Sequence, residues 1–447
     1  MERTLKVSIS GIRGIIGAGL DAATLVSYVN AYALLMKPRS TIALGRDTRI
    51  SGSAIVNIVS GALAMAGHTV LDLGIVPTPT VLFTVRKRKF AGGIIVTASH
   101  NPIEWNALKF AGAGGRFLVQ RQIDELIREQ KKNSPITNPA LRTGGIGEYP
   151  CAIQDHIDAI VASVDAKRIR AAKFHAACDF VNGTGLVSTP LLMEKLGVKL
   201  TAVNNALTGT FAHMAEPSPA TMQELSRLVK RTKADIGFIQ DPDADRLALT
   251  DERGTILSEE YTLALSAEHI FSKKKTDAAV NLSTSRMIDD VAKKYRRTVF
   301  RTKIGEINVS ETLRRKKLYF GGEGNGGIII PSICPGRDSL LGMALLLEMM
   351  AVRGKRVSEL VSELPAYRII KDKVEAKGID VDTLYSALKR TFSGAHFSEI
   401  DGIRADVDEG WVHVRTSNTE PVIRIIAEAK DELSARELIE KAMRVIR

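Results

Sequence analysis

Three cysteines in 447 residues, Cys151, Cys178 and Cys334, are too scattered and too odd in number for a disulfide framework, and no C-x-x-C pair offers a zinc site. A reducing, cytoplasmic compartment is therefore expected. Aromatic residues make up only 5% of the chain, which leaves none of the interleaved rings that stack on nucleic-acid bases. No apolar run approaches the roughly 18 residues needed to span a bilayer. The longest, LLGMALLLEMMAV from Leu340 to Val352, is interrupted by Glu348 and reads as a buried helix of a soluble protein. MERTLKVSISG has no continuous apolar stretch behind its charges, so no secretory leader is expected.

Lysine and arginine outnumber aspartate and glutamate by 62 to 50, a formal charge of +12. The basic runs at Arg86 to Lys89, Lys273 to Lys275 and Arg314 to Lys317 read as solvated helix ends or turns. They imply a field that draws in small anions, with no nucleic-acid or membrane partner. A hydrophobic fraction of 45% gives ample material for cores. At this length the chain should divide into roughly three or four domains of about 100 to 150 residues with clefts between them.

In four places a strand-like apolar segment runs straight into a polar or glycine-rich loop: AGGIIVTASHNP (Ala91 to Pro102), ADIGFIQDPDADR (Ala234 to Arg246), LYFGGEGNGG (Leu318 to Gly327) and GWVHVRTSNTEP (Gly410 to Pro421). The first two are apolar enough for strands buried on both faces, and ligands of open α/β sheets bind beyond the carboxyl ends of such strands. Helical patterns lie between them, including Ser51 to Gly67, with Ser51 or Ser53 as cap and Gly67 as stop, and Asp338 to Gly354. The fold expected is repeated α/β domains over 1–147, 148–249 and 250–364, then an α+β domain over 365–447.

The loops carry the chemistry. Asp241, Asp243 and Asp245 in DPDADR alternate, so an extended segment would point three hard oxygen ligands to one side, as Mg²⁺ prefers. Arg246 beside them can balance the site or reach a substrate phosphate. Ser99 in TASHNP, flanked by His100, lies on a loop leaving a strand, where it is expected to be exposed and reachable; beside a bound cation it is a candidate phosphoryl carrier. It lacks the G-x-S-x-G elbow of acyl transfer. Arg415, Ser417, Asn418 and Thr419 in RTSNTEP offer a guanidinium fork, hydroxyls and an amide to one anion. Glu323 and Asn325 in GGEGNGG can hydrogen-bond sugar hydroxyls. Lys109 in NALKF and Arg13 in SGIRG are further cations beside apolar strands.

Taken together and in this order, the four motifs resemble the α-D-phosphohexomutase superfamily, with SGIRG, LGRDTRISG (Leu44 to Gly52) and DGIR (Asp401 to Arg404) extending the resemblance over the whole chain. It implies three related α/β domains and a smaller C-terminal domain around a central cleft. It also implies a phosphoserine at Ser99, Mg²⁺ held by Asp241, Asp243, Asp245 and that phosphate, sugar contacts from Glu323 and Asn325, and a phosphate grip at Arg415, Ser417, Asn418 and Thr419. Arg246 and Lys303 join the substrate-binding groups, and Arg13, His100 and Lys109 the catalytic ones. The reaction implied is exchange of hexose 6- and 1-phosphates through a 1,6-bisphosphate. Glucosamine phosphate is the first-choice sugar and glucose or mannose phosphate the alternative, with an aspartyl-phosphate sugar phosphatase as a more distant reading. A monomer or homodimer is expected. Many members carry a serine and a histidine where this loop has Asn325 and Gly327, which leaves proton transfer to Lys109 or His100, and Ala244 stands where glycine is frequent.

Overall fold

Each apolar segment singled out above forms a buried strand of a sheet, and one strand pattern recurs three times. The computed structural model describes residues 4–133, 136, 138, 142–376, 379–416 and 422–446. In the first sheet Thr69–Ile75, Thr41–Arg46 and Gly92–Val96 run parallel, and Trp105–Gly112 returns antiparallel beside the last of them. In the second, Lys199–Val203, His175–Asp179 and Ile236–Gln240 are parallel and Leu247–Thr250 returns. In the third, Val299–Thr302, Ala278–Asn281 and Phe320–Glu323 are parallel and Gly327–Ile329 returns. The connection before the returning strand carries, in turn, Ser99, the three aspartates, and Gly324 to Gly326. Three related α/β domains thus place their functional loops at one topological position, beyond a parallel strand's carboxyl end.

The C-terminal domain is an antiparallel sheet in the order Arg368–Glu375, Val422–Ala429, Gly410–Thr416, Ile403–Asp406, His396–Ser398, backed by helices Val381–Thr391 and Glu432–Ile446. It docks on the third domain through polar contacts. The Arg286 N–H and Trp411 Nε1 both donate to Glu428 Oε1, at 2.9 and 2.7 Å, and the Ile304 N–H donates to Asp401 Oδ2 at 2.7 Å.

The second and third domains share a single core running from Ile157 to Leu360. The helix Ser339–Arg353 explains it. This helix is LLGMALLLEMMAV, apolar on all sides because it is buried on all sides between helices Glu260–Lys273 and Ala152–Ser163. The Asp338 carboxylate accepts from the Leu341 N–H at its start, and Gly354 ends it in the left-handed region. The helix Gly52–Met65 also stops before Gly67 as expected, but Ser51 does not cap it with its side chain. Its hydroxyl accepts instead from Asn106 Nδ2 at 2.8 Å, because that amide reaches it across the sheet edge. No helix among the described residues is long and apolar enough to cross a membrane.

Glu348, the one charge within the apolar run Leu340 to Val352, is held by His269 Nε2 and Lys273 Nζ, both at 2.6 Å, and by the Asp165 N–H at 2.8 Å. Burial alone would raise its pKa, yet these bonds hold it down to about 2. A depressed carboxyl contributes stability above its unfolded value of 4.5 and loses it as pH falls towards 2. Glu348→Gln is expected to cost about 3 kcal/mol at pH 7 and to flatten the loss of stability between those pH values in urea unfolding; an unchanged acid limb would refute the assignment.

Candidate active site

The loop of Asp241, Asp243 and Asp245 begins where the strand Ile236–Gln240 ends. It is a turn, and the extended segment expected from the alternating aspartates does not form: the Ala244 N–H closes on the Asp241 carbonyl at 2.9 Å, and Ala244 takes a φ of 53°. The tight turn brings the carboxylates together instead, and ligand oxygens of Asp241, Asp243 and Asp245 lie within 4.8 Å of one another. All three residues are buried. Their outer oxygens are tied down. Asp243 Oδ2 accepts from the Thr78 hydroxyl at 2.6 Å and from Lys109 Nζ at 2.7 Å, and Asp241 Oδ1 accepts the N–H groups of Asp245 and Arg246, both at 3.0 Å. The Oδ1 atoms of Asp243 and Asp245 are buried without a hydrogen-bond partner. Unpartnered, preoriented carboxylate oxygens are what a hard divalent cation requires, so the residues present fit a metal.

Ser99 faces this cluster. Its hydroxyl donates to Asp241 Oδ2 at 2.8 Å, across the boundary between the first and second domains. Contrary to expectation it is not exposed: it is 7% accessible and lines a cavity. The reason is Arg49, itself buried, whose guanidinium donates to the carbonyls of Ser99, Asn101, Pro102 and Trp105 at 2.6 to 2.9 Å and ion-pairs with Asp47 at 3.1 Å. Drawing four carbonyls onto one cation folds the loop inward and holds Ser99 at a φ of 50°, strained for a non-glycine residue.

The cavity, about 250 Å³, is lined among others by Arg13, Ser99, His100, Lys109, Arg246, Glu306, Glu323, Asn325 and Arg337. It therefore gathers charged and polar side chains from three domains. Arg246 and Asn325 also line a second, larger cleft of about 740 Å³ towards the C-terminal domain, where Arg415 lies. Glu323 is 2% exposed and accepts from Asn281 Nδ2 at 2.8 Å and from Arg337 Nη1 at 2.7 Å. Lys303 is exposed, next to Ile304 in the lining of both spaces. Ser417, Asn418 and Thr419 lie outside the described residues.

Charge crowding sets the ionisation. Burial and the two neighbouring aspartates push Asp241 well above the carboxylate range, whereas Asp243, despite burial, is held below it by the Lys109 ammonium. Burial opposes the charge on Lys109, but Asp243 and Asp245 raise its pKa and keep it protonated. His100, beside Arg246, in a buried position and near Arg13, is pushed down to about 2 and stays neutral. Burial lifts Glu306 to about 7 against the pull of Arg337.

Four family domains match the chain in order. They are described as phosphoglucomutase/phosphomannomutase α/β/α domain I over residues 5–136, domain II over 154–254, domain III over 258–367 and the C-terminal domain over 368–445. The chain belongs to the phosphoglucomutase/phosphomannomutase family. It is 34% identical to a phosphoglucomutase/phosphomannomutase of Thermococcus kodakarensis, over 98% of this chain and 97% of that one. It is 31% identical to a phosphoglucosamine/phosphogalactosamine mutase of Sulfurisphaera tokodaii, over 98% of both. The crystal structure of a phosphoglucomutase/phosphomannomutase family protein from Burkholderia thailandensis superposes with a TM-score of 0.85 at 26% identity, covering 98% of this chain and 97% of that one. The resemblance to the α-D-phosphohexomutases and the four-domain α/β architecture read from the motifs are thereby confirmed, and the enzyme class with them.

Sequence reasoning passed over Arg49, Glu306 and Arg337. Arg49 lies in LGRDTRISG, a motif noted without a role; the other two carry no local signal. Arg49→Met is expected to lower turnover about 100-fold by displacing Ser99 and to cost about 3 kcal/mol or more by leaving Asp47 unpaired. Steady-state kinetics and urea unfolding test this, and normal turnover would show that the clamp is not needed.

Proposed function

We propose that this phosphohexomutase interconverts glucosamine 6-phosphate and glucosamine 1-phosphate, with Ser99 as phosphoryl carrier and Mg²⁺ as its cation. The observation that carries the reading is the 2.8 Å contact between the Ser99 hydroxyl and Asp241 in a buried three-carboxylate cluster. The nucleophilic oxygen lines a cavity of about 250 Å³, and the carboxylate it bonds belongs to the buried cluster that would hold the cation.

In this reading the C1 hydroxyl of hexose 6-phosphate attacks the phosphorus of phosphoserine 99. The bond from phosphorus to Ser99 Oγ breaks, and the sugar becomes a 1,6-bisphosphate. After the sugar turns over in the cleft, Ser99 Oγ takes the 6-phosphoryl group and the 1-phosphate leaves. A magnesium ion held by Asp241, Asp243, Asp245 and the serine phosphate would neutralise charge on the transferring group. Lys109, kept as an ammonium, supplies a second positive charge at the same place. Arg13 and Arg246 border the path of the phosphate. Glu323 and Asn325 meet the sugar hydroxyls, and Arg415, with Ser417, Asn418, Thr419 and Lys303, binds the phosphate that does not react. The proton of the attacking hydroxyl ends on Ser99 Oγ, which lies 3.4 Å from Nδ1 of neutral His100. We further infer a cytoplasmic enzyme, monomeric or homodimeric, with no nucleic-acid or membrane partner.

Incubation with Mg²⁺ and glucose 1,6-bisphosphate is expected to add one phosphate to Ser99, stable to hydroxylamine in peptide mass spectrometry, and Ser99→Ala is expected to lose turnover. Hydroxylamine-labile phosphate on Asp241 would replace this scheme with an aspartyl-phosphate phosphatase. In competing kinetics kcat/KM is expected to be highest for glucosamine phosphate. Equal or better turnover of glucose or mannose phosphate would reassign the sugar within the same scheme.

A further inference from the structure

One buried guanidinium connects the proposed metal site to the proposed sugar site. Arg337 Nη2 donates to Asp245 Oδ2 at 2.6 Å, and Arg337 Nη1 donates to Glu323 Oε2 at 2.7 Å. The Arg337 N–H donates to Glu306 Oε1 at 2.7 Å, and its Nε lies 3.4 Å from Glu306 Oε2. The residue is 8% exposed and lines the cavity. Its backbone and its head are thus fixed independently, and its planar fork spans two carboxylates from two different loops.

The path of the side chain is equally constrained. A Cβ built on Gly327 would lie 2.1 Å from Arg337 Cδ and 2.6 Å from its Cγ, so the stem crosses the space that any side chain at 327 would occupy. Glycine at 327 is therefore the condition for an arginine reaching from 337.

We propose that Arg337 is a positioning residue that couples the two sites, so that cation binding at the aspartates and sugar phosphate binding at Glu323 favour each other. The Oδ1 atom of Asp245 has no hydrogen-bond partner, with Arg246 Nε 3.8 Å away, while its Oδ2 is held by Arg337. A cation drawing on Oδ1 fixes the orientation of that carboxylate, and through it the guanidinium that orients Glu323. Conversely, a sugar hydroxyl on Glu323 fixes the guanidinium and presents Asp245 for the cation. Outer-sphere partners of metal ligands commonly control affinity about 10- to 100-fold, and coupling between two ligands is reciprocal. The proposal rests on the assignment of Asp245 to a cation and Glu323 to the sugar.

The test measures Mn²⁺ binding to the full-length, dephosphorylated protein by electron paramagnetic resonance, with and without glucosamine 6-phosphate and glucose 6-phosphate, so that no turnover is needed. In the unaltered protein, sugar phosphate is expected to tighten Mn²⁺ binding by about fivefold or more. Arg337→Lys keeps the charge but reaches one carboxylate only, and Gly327→Ala leaves every functional group in place while displacing the stem. In both, the ratio is expected to fall to about 1, with Mn²⁺ affinity itself about tenfold weaker. Thermal melting serves as the control, since a purely structural arginine would shift the melt and leave the ratio intact. Retention of the full ratio in either folded variant, or a ratio of 1 in the unaltered protein, would overturn the coupling. Failure of the unaltered protein to bind Mn²⁺ at all would instead overturn the cation assignment, and the coupling with it.

Discussion

Three carboxylates whose ligand oxygens lie within 4.8 Å of one another, all buried, repel each other strongly in a medium of low dielectric. Much of the surrounding structure answers that repulsion. Thr78 and Lys109 from the first domain bind Asp243, Arg337 from the third binds Asp245, and the loop's own N–H groups bind Asp241. The cluster sits where three domains meet and draws its two ammonium and guanidinium partners, Lys109 and Arg337, from different ones. The domain arrangement and the site are in this sense one construction.

The same repulsion shapes the chemistry. Asp243 and Asp245 each have one anchored oxygen and one without a hydrogen-bond partner, while both oxygens of Asp241 are bonded, one of them to Ser99. Ser99 is held over this cluster by a loop gathered on Arg49, at the cost of a strained backbone and lost exposure. Lys109, 2.7 Å from Asp243 and kept protonated by Asp243 and Asp245, brings positive charge to the cluster. The chain's large positive charge is thus not spread evenly in its effect. Its basic runs end helices on the surface, while Arg13, Lys109, Arg246 and Arg337 face the cavity.

Proton handling follows from this field. His100 and Lys109 are driven to opposite fixed states, one neutral and one charged, by the cations and anions around them. Glu306, buried beside Arg337, is the cavity carboxyl lifted to about 7. No side chain has room at position 327, since Gly327 lies against the Arg337 stem.

Local pattern was enough to determine the element types, the buried helix Ser339–Arg353, the repeated α/β plan and the four loops that leave strand ends, because strand and helix periodicities and turn residues act over a few positions. It also named Ser99, the three aspartates and Glu323 by residue type. It misjudged two local points. The aspartates converge through a turn with Ala244 in the left-handed region, and Ser99 is buried, because backbone conformation there is imposed by Arg49 and the facing domain. Only the tertiary structure decided which side chains meet: Ser99 and Asp241 are 142 positions apart and Arg337 and Asp245 are 92 apart. Pairings at such separations depend on how whole domains pack, and a buried arginine looks in sequence like any exposed one until the carboxylates it joins are brought to it.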